Sequence, residues 1–169
     1  EQSGGLNVCT FNVCTYICIM KLEEAIQQRK FKDEWHKLQV NILYTASWIH
    51  QRNNKVLKPF KISGPQFNIL RILRGMYPDP ASVKLLTERM IDKDSNASRL
   101  VDKLVLKGLV ERHSCQYDRR KVDVIITEQG LALLEKASLA IETQGKHLEH
   151  TINESDARML NAFLDKIRQ

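Results

Sequence analysis

The chain has little of what several large protein classes depend on. Glycine accounts for only 7 of its 169 residues, and the sequence contains no phosphate-cradling glycine loop, no nucleophile elbow and no paired-carboxylate motif. We therefore expect neither an enzymatic activity nor a bound cofactor. No apolar run is long enough to span a membrane, and charged residues make up 27% of the chain. We expect a soluble protein with no membrane partner.

Cysteine is scarce and unevenly distributed. Cys9, Cys14 and Cys18 lie near the N-terminus, and Cys115 is the only cysteine in the rest of the sequence. A secreted domain held by disulfides would distribute its cysteines along the chain, so the pattern predicts a reducing, cytoplasmic setting.

Residues 1–19 also differ from the rest in charge. They carry a single charged side chain, whereas charged residues become frequent directly after Met20. The segment lacks the basic region that begins a signal peptide. We interpret 1–19 as a leader or a cloning-derived tail. A redox or metal-binding arm is the alternative, although the spacing of its three cysteines matches no strong zinc signature.

Basic residues are what the chain has in excess. Its net charge is +6 at pH 7, and its pI is about 9.2. The range 84–121 holds ten Lys or Arg against six Asp or Glu, so this segment alone contributes +4. A basic balance raises the expectation of a nucleic-acid partner, and its concentration in one segment indicates where to look for the binding surface.

Hydrophobic periodicity predicts a mainly helical chain. Within 20–58, two apolar stripes indicate a helix that is buried against more than one neighbour, and a partner subunit would provide the second neighbour. Pro59 ends this pattern, and Ser63 opens the next helix. The stripes consist of Trp35, Leu38, Ile42, Thr45 and Ile49, and of Val40, Tyr44 and Trp48.

Two helices joined by a short turn follow, which is the arrangement of a helix-turn-helix. The first begins at Ser82, and the second is capped by Ser95 or Asn96 and runs to Lys107. At ~100° per residue, the second helix has an apolar arc and a separate polar arc rich in hydrogen-bond donors. Such donors can read base edges or reach phosphates, although a solvated helix face has the same composition. The polar arc carries Ser95, Asn96, Ser98, Arg99 and Lys103.

A short basic hairpin comes next. Gly108 ends the helix, 109–113 and 122–126 are β-prone, and Thr127 can cap a further helix. An arginine at a hairpin tip fits a narrow minor groove, and an aspartate beside two arginines can hold one and orient the other. An ordinary surface hairpin is the alternative. The basic turn holds Asp118, Arg119, Arg120 and Lys121, with Arg112 beside it.

These residues resemble the MarR (multiple antibiotic resistance regulator) family of winged-helix transcription factors. The resemblance covers 62–137 and is carried by KGLVER at 107–112, DRR at 118–120, and Thr127 with Gly130. It implies a homodimer on a pseudo-palindromic site in double-stranded DNA. The second helix would enter the major groove and the hairpin the minor groove, with the DRR motif matching the family's wing aspartate and arginines.

The resemblance also implies the domain organisation and a mainly α fold with a small β-hairpin. The sequence departs from the pattern at Asp102, which puts a negative charge on the polar arc. This carboxylate can pair with Arg99 or Lys103, or accept from a cytosine amino group. The predicted parts are N-terminal dimerisation helices at 20–58, a winged helix-turn-helix lobe at 59–127 and C-terminal dimerisation helices at 128–169.

Members of the family release DNA when a small molecule binds or a cysteine is oxidised. No cysteine lies between Met20 and Asn54, which argues against the redox mode. We interpret Cys115 as a bystander thiol, and oxidation that blocks DNA binding is the alternative. By layout, an effector crevice would be lined by Tyr44, Trp48, His50, Arg52 and Phe67. The alternative is that the aromatic residues of this set belong to the dimer core.

A last cluster contains His147, Glu149 and His150 and could form half of a zinc site. We interpret it as a solvated helix end and expect no metal. The sequence thus predicts a dimeric DNA-binding regulator that acts as a repressor and leaves its operator when an effector binds. The alternative is a winged-helix protein-interaction module without sequence-specific DNA binding.

Overall fold

A computed structural model of the protein describes residues 20–114 and 122–169. The chain divides into two compact units, Glu1–Thr45 and Ala46–Gln169. The predicted tail at 1–19 and the tip of the predicted hairpin lie outside the described residues.

Between residues 20 and 45, the first unit contains one short helix, α1 (Leu22–Ala25), and the beginning of α2 (Glu34–Leu57). Lys37 Nζ lies 2.6 Å from Glu23 Oε1, and this hydrogen bond holds the pKa of Glu23 below its ordinary value. The helix predicted within 20–58 is therefore present, although its long continuous part starts only at α2.

The second unit alternates helices with a small sheet. Its predicted hairpin is confirmed: β2 and β3 pair antiparallel, with Arg112 opposite Val124. A third strand, β1, pairs with the other edge of β3 and was not predicted. After α2 and a 3-10 turn (Lys58–Phe60), the elements are α3 (Gly64–Arg74), β1 (Ala81–Ser82), α4 (Val83–Arg89), α5 (Ala97–Val105), β2 (Val110–Ser114), β3 (Val122–Ile126), α6 (Glu128–Thr151) and α7 (Glu154–Ile167).

Side-chain caps fix where these helices begin. The Ser63 hydroxyl accepts from Gln66 N, and Gln66 Oε1 accepts from Ser63 N, which completes a capping box at α3. The predicted cap of α6 is confirmed as well, because Thr127 accepts from Gly130 N. At α7, Asn153 is the cap and accepts from Asp156 N. Each such cap stabilises its helix by about 1 kcal/mol.

The core of the second unit is built around α3. This helix packs against α4, α5, α6 and β3, and it buries almost its whole apolar face. Full burial of a large aliphatic side chain contributes roughly 1.5–3 kcal/mol. The fully buried side chains that share this core include Ile69, Leu70, Leu86, Val101, Leu104, Val124 and Leu134.

The end of α5 meets the start of α6 at two glycines. Gly108 has a left-handed backbone with φ 68°, as predicted, and the following residue, Leu109, donates its N–H to Leu104 O at 3.0 Å. Thr127 Oγ1 donates to Gly108 O at 2.8 Å. At Gly130, a Cβ atom would lie only 2.1 Å from the carbonyl oxygen of Leu109. Only glycine lets the two chain segments approach this closely.

We therefore predict opposite effects for two glycine substitutions in α6. Gly130→Ala should destabilise the fold by about 2 kcal/mol, because the new methyl group collides with backbone that cannot rotate away. Gly145→Ala should stabilise it by about 0.5 kcal/mol, because nothing lies within 4 Å of the added Cβ and alanine favours the helix. Denaturant unfolding of both variants measures the difference, and equal stability of the two would contradict the close approach.

Candidate nucleic-acid interface

Helix α5 has the two faces that the sequence predicted. Its N-cap is Asn96, whose Oδ1 accepts from Arg99 N at 3.0 Å. The apolar residues at Ala97, Val101 and Leu104 are 4% exposed or less. The polar residues of the opposite arc are exposed to solvent. They are Ser98, Arg99, Asp102 and Lys103.

The turn before α5 restrains the two polar residues at its start. Ser95 Oγ donates to Asp92 Oδ2 at 2.6 Å, and Asp94 N donates to Asp92 Oδ1 at 3.2 Å. These bonds lower the pKa of Asp92, with the Ser95 hydroxyl as the main cause. Ser95 and Asn96 thus hold the turn and the cap, whereas Arg99 and Lys103 extend from the helix surface.

The negative charge at Asp102 has a partner from another element. Arg112, on β2, forms an ion pair with Asp102 Oδ1 through Nη1, and its Nη2 donates to Ser98 Oγ at 3.2 Å. The sequence had suggested Arg99 or Lys103 as the partner, because only neighbours on the same helix could be compared. The strand that returns beside α5 brings Arg112 to this carboxylate and neutralises it.

The rest of the predicted wing lies outside the described residues. The strand pairing is described as far as Ser114 opposite Val122. Beyond this pair lie Asp118, Arg119, Arg120 and Lys121, which the sequence assigned to DNA contact. Cys115, which was considered as a redox switch, lies there too.

The residues predicted to line an effector crevice fall into separate surroundings. In the second unit, the Arg52 guanidinium lies 4.6 Å from the Trp48 ring centroid, and the Trp48 ring meets His147 edge-on at 6.1 Å. His50 is exposed to solvent, and Phe67 belongs to the buried core. Tyr44 belongs to the first unit, where its side chain is 37% exposed.

A cavity of about 390 Å³ lies between α3 and α6. Phe67 is one of its walls, but the other four predicted crevice residues are not. Two arginines and one glutamate give it charged groups. The complete lining is Phe67, Arg71, Arg74, Gly75, Ser138, Ile141 and Glu142.

The structure also bears on metals and membranes. Within 20–114 and 122–169, no group of three or more His, Cys, Asp or Glu is placed to hold a metal ion. His147 instead has its Nδ1 2.9 Å from Thr151 Oγ1 on the same helix.

No helix within 20–114 and 122–169 combines the length and the apolar character needed to cross a membrane.

Taken together, α4, the turn, α5 and the β2–β3 ribbon form a winged helix-turn-helix. Residues 62–122 match the model of the MarR family. An HTH-type transcriptional regulator of Bacillus cereus is 26% identical over 121 residues, which cover 71% of this chain and 79% of that protein.

Two solved structures share the fold. A mutant MarR from E. coli complexed with operator DNA has a TM-score of 0.71 at 24% identity, and the match covers 82% of this chain and 99% of that one. The organohalide-sensing regulator RdhR-CbdbA1625, bound to 2,4-dichlorophenol, has a TM-score of 0.74 at 20% identity, with 83% and 85% covered. The lobe at 62–122 is thus similar to the corresponding part of MarR-family regulators, and the fold is shared with them.

We predict that the Asp102–Arg112 pair acts on DNA affinity more than on stability. Arg112→Ala leaves an uncompensated carboxylate on the exposed arc of α5, and we expect DNA affinity to fall about tenfold. Asp102→Ala in the same chain removes that charge and should restore most of the affinity. Because the pair is partly exposed, each single change should cost roughly 0.5 kcal/mol of unfolding free energy.

A double-mutant cycle measured by DNA-binding anisotropy tests this pair. We expect a coupling of about 1 kcal/mol in binding. Strictly additive effects of the two substitutions would show that Arg112 does not act through Asp102.

Proposed function

We propose that the protein binds operator DNA as a homodimer and represses transcription until a small-molecule effector releases it. The observation that carries DNA binding is the exposed face of α5. It presents Arg99 and Lys103 as donors, while Arg112 neutralises the one carboxylate of that face. A guanidinium can contact guanine bidentately and an ammonium can reach phosphates, so this face suits base reading in a major groove.

An interaction with another protein fits this face less well. Protein–protein interfaces are depleted of charged residues at their centre and enriched in aromatic ones. The exposed face of α5 is charged at Arg99, Asp102 and Lys103, and it carries no aromatic side chain. DNA is therefore the proposed partner of the helix.

Exposed apolar side chains support the homodimer. On α7, Met159, Leu160, Phe163 and Ile167 are each at least 50% exposed. They recur at steps of three and four residues and so share one side of the helix. In the first unit, considered separately, Trp35 is 79% exposed. Apolar surface of this kind is typical of residues that are buried in an oligomer.

The cavity between α3 and α6 supports the effector. Its volume of about 390 Å³ lies within the range of small-molecule sites. Arg71 and Arg74 could hold an anionic group, and Phe67 and Ile141 provide apolar walls. The relative bound to 2,4-dichlorophenol is a regulator of the same fold that takes a small aromatic ligand. The residues around Trp48 and Arg52 stay a second candidate location.

DNA binding is tested on duplexes from the protein's own upstream region. We expect affinity to fall steeply as salt rises, because phosphate contacts release counterions. Arg99→Ala should change the preferred base at one position of each half-site at a cost of about 1–3 kcal/mol. Arg120→Ala, in the predicted wing, should weaken binding to every duplex.

Electrophoretic shifts with matched and shuffled duplexes give both readouts. The control is Lys136→Ala, which removes one positive charge from an exposed position of α6. If Arg99→Ala binds all duplexes in the same order of preference as the unmodified protein, α5 does not read bases.

The dimer is tested at α7. Phe163→Asp places a charge on the exposed apolar face and should raise the dimer dissociation constant by at least about tenfold, because burial of an unpaired charge is costly. Asn161→Asp adds the same charge at an exposed polar position of the same helix. Sedimentation equilibrium should therefore find the first variant dissociated and the second dimeric. Equal dimerisation of both would exclude α7 from the interface.

A further inference from the structure

Five lysines gather in one open depression beside the candidate recognition helix. We call them the lysine cluster. The depression measures about 660 Å³, and none of the residues that line it is acidic. Its members are Lys55, Lys58, Lys61, Lys103 and Lys107.

The cluster is assembled from two parts of the chain that are far apart in sequence. Lys55 is near the end of α2, and Lys58 and Lys61 belong to the 3-10 turn and its cap. Lys103 is in the last turn of α5, and Lys107 follows the C-cap of that helix, Leu106. Both line the depression.

Hydrogen bonds hold the two parts together. Lys107 Nζ donates to Lys61 O at 2.5 Å and to Gln66 Oε1 at 3.1 Å. The Gln66 side chain is only 4% exposed, and it is fixed by its bond from Ser63 N in the capping box. The floor of the depression is therefore rigid, whereas the ends of the other lysines are exposed on its rim.

The positive charge of the cluster is not balanced locally. None of the ion pairs formed within 20–114 and 122–169 includes a member. Burial and the neighbouring Lys103 lower the pKa of Lys107, which is the response expected where cations crowd together. Unbalanced cations held at a rigid site attract an anion.

The position of the cluster favours one anion over others. On the helical wheel of α5, Ser98 and Asp102, which bind Arg112, mark one edge of the exposed arc. Lys103 marks the other edge, and Lys107 follows two residues after the end of the helix. A helix in the major groove has a phosphate backbone on each side. The side of α5 away from the wing is therefore where a backbone would pass over the lysine cluster.

We propose that the lysine cluster binds the phosphodiester backbone of the DNA duplex whose major groove receives α5. This inference rests on the proposed function and extends the DNA surface from α5 to the end of α2 and the turn after it. An effector site is less compatible with the depression, because such sites are enclosed, whereas this depression is open to solvent. The cluster adds affinity without sequence preference, since phosphates carry no base information.

The test uses the full chain and the double variant Lys55→Gln/Lys58→Gln, which leaves the hydrogen bonds of Lys107 intact. Fluorescence anisotropy would follow binding to the upstream duplex and to a shuffled duplex over a series of KCl concentrations. We expect both affinities to fall by at least about tenfold and the slope of log K against log salt to decrease by about 2 to 4, because each subunit of the proposed dimer loses two lysines. The control Lys136→Gln/Lys146→Gln removes the same charge from exposed positions of α6 and should leave the slope unchanged.

A charge-conserving variant, the unmodified protein and a free anion distinguish the possible results. Lys55→Arg/Lys58→Arg should keep the slope, because the positive charges remain. A cluster variant that binds with the slope and affinity of the control overturns the inference and leaves the proposed function intact. Failure of the unmodified protein to bind either duplex in low salt overturns both. Pyrophosphate that raises the melting temperature only when the cluster is intact, with an unchanged DNA slope, would assign the site to a free anion and overturn the backbone proposal.

Discussion

The fit of the first turn of α6 against the segment after α5 is the constraint on which the candidate DNA-binding surface depends. Leu109 O accepts from Thr127 N at 3.1 Å, and the absence of a side chain at Gly130 makes room for the same carbonyl. The junction fixes the direction in which β2 leaves α5. Since β2 carries Arg112, it also fixes which side chain of the strand reaches Asp102. A recognition surface with a defined charge pattern thus follows from backbone packing at one point.

The positions of the charged side chains on this surface matter more than their number. Asp102 is paired with Arg112 on the wing side of α5, and the lysine cluster remains unpaired within the described residues on the other side. The exposed arc of α5 therefore presents the cationic side chains of Arg99 and Lys103, with no unpaired carboxylate beside them. An exposed ion pair contributes little to stability. We therefore infer that Arg112 matters mainly because it neutralises a negative charge on the candidate DNA-binding surface.

The features that could be predicted from sequence are those that depend on neighbours along the chain. The buried and exposed faces of α5, the caps at Ser63, Thr127 and Asn153, and the left-handed Gly108 each follow from residues within a few positions. What could not be predicted depends on contacts across the fold. Strand β1 is only two residues long, too short to show an alternating pattern, and is defined by its pairing with β3.

The same limit applies to the candidate site. The choice of Arg112 over Lys103 as the partner of Asp102 requires knowledge of where β2 returns. The lysine cluster joins positions 46 residues apart at Lys61 and Lys107. Helical wheels and motif spacing do not contain that information, because each describes one element at a time.

The position of α3 suggests how an effector could influence DNA binding. One part of α3 lines the cavity shared with α6, and the same helix packs against α5 in the core. A ligand in the cavity shifts the DNA-binding equilibrium only if it binds the DNA-free and DNA-bound arrangements with different affinities. A close-packed core passes displacements of α3 directly to α5, because it has few voids to absorb them. An effect of this kind would pass through the α3–α5 contact. The buried aliphatic side chains of the shared core, among them Ile69, Leu70, Val101 and Leu104, would transmit it.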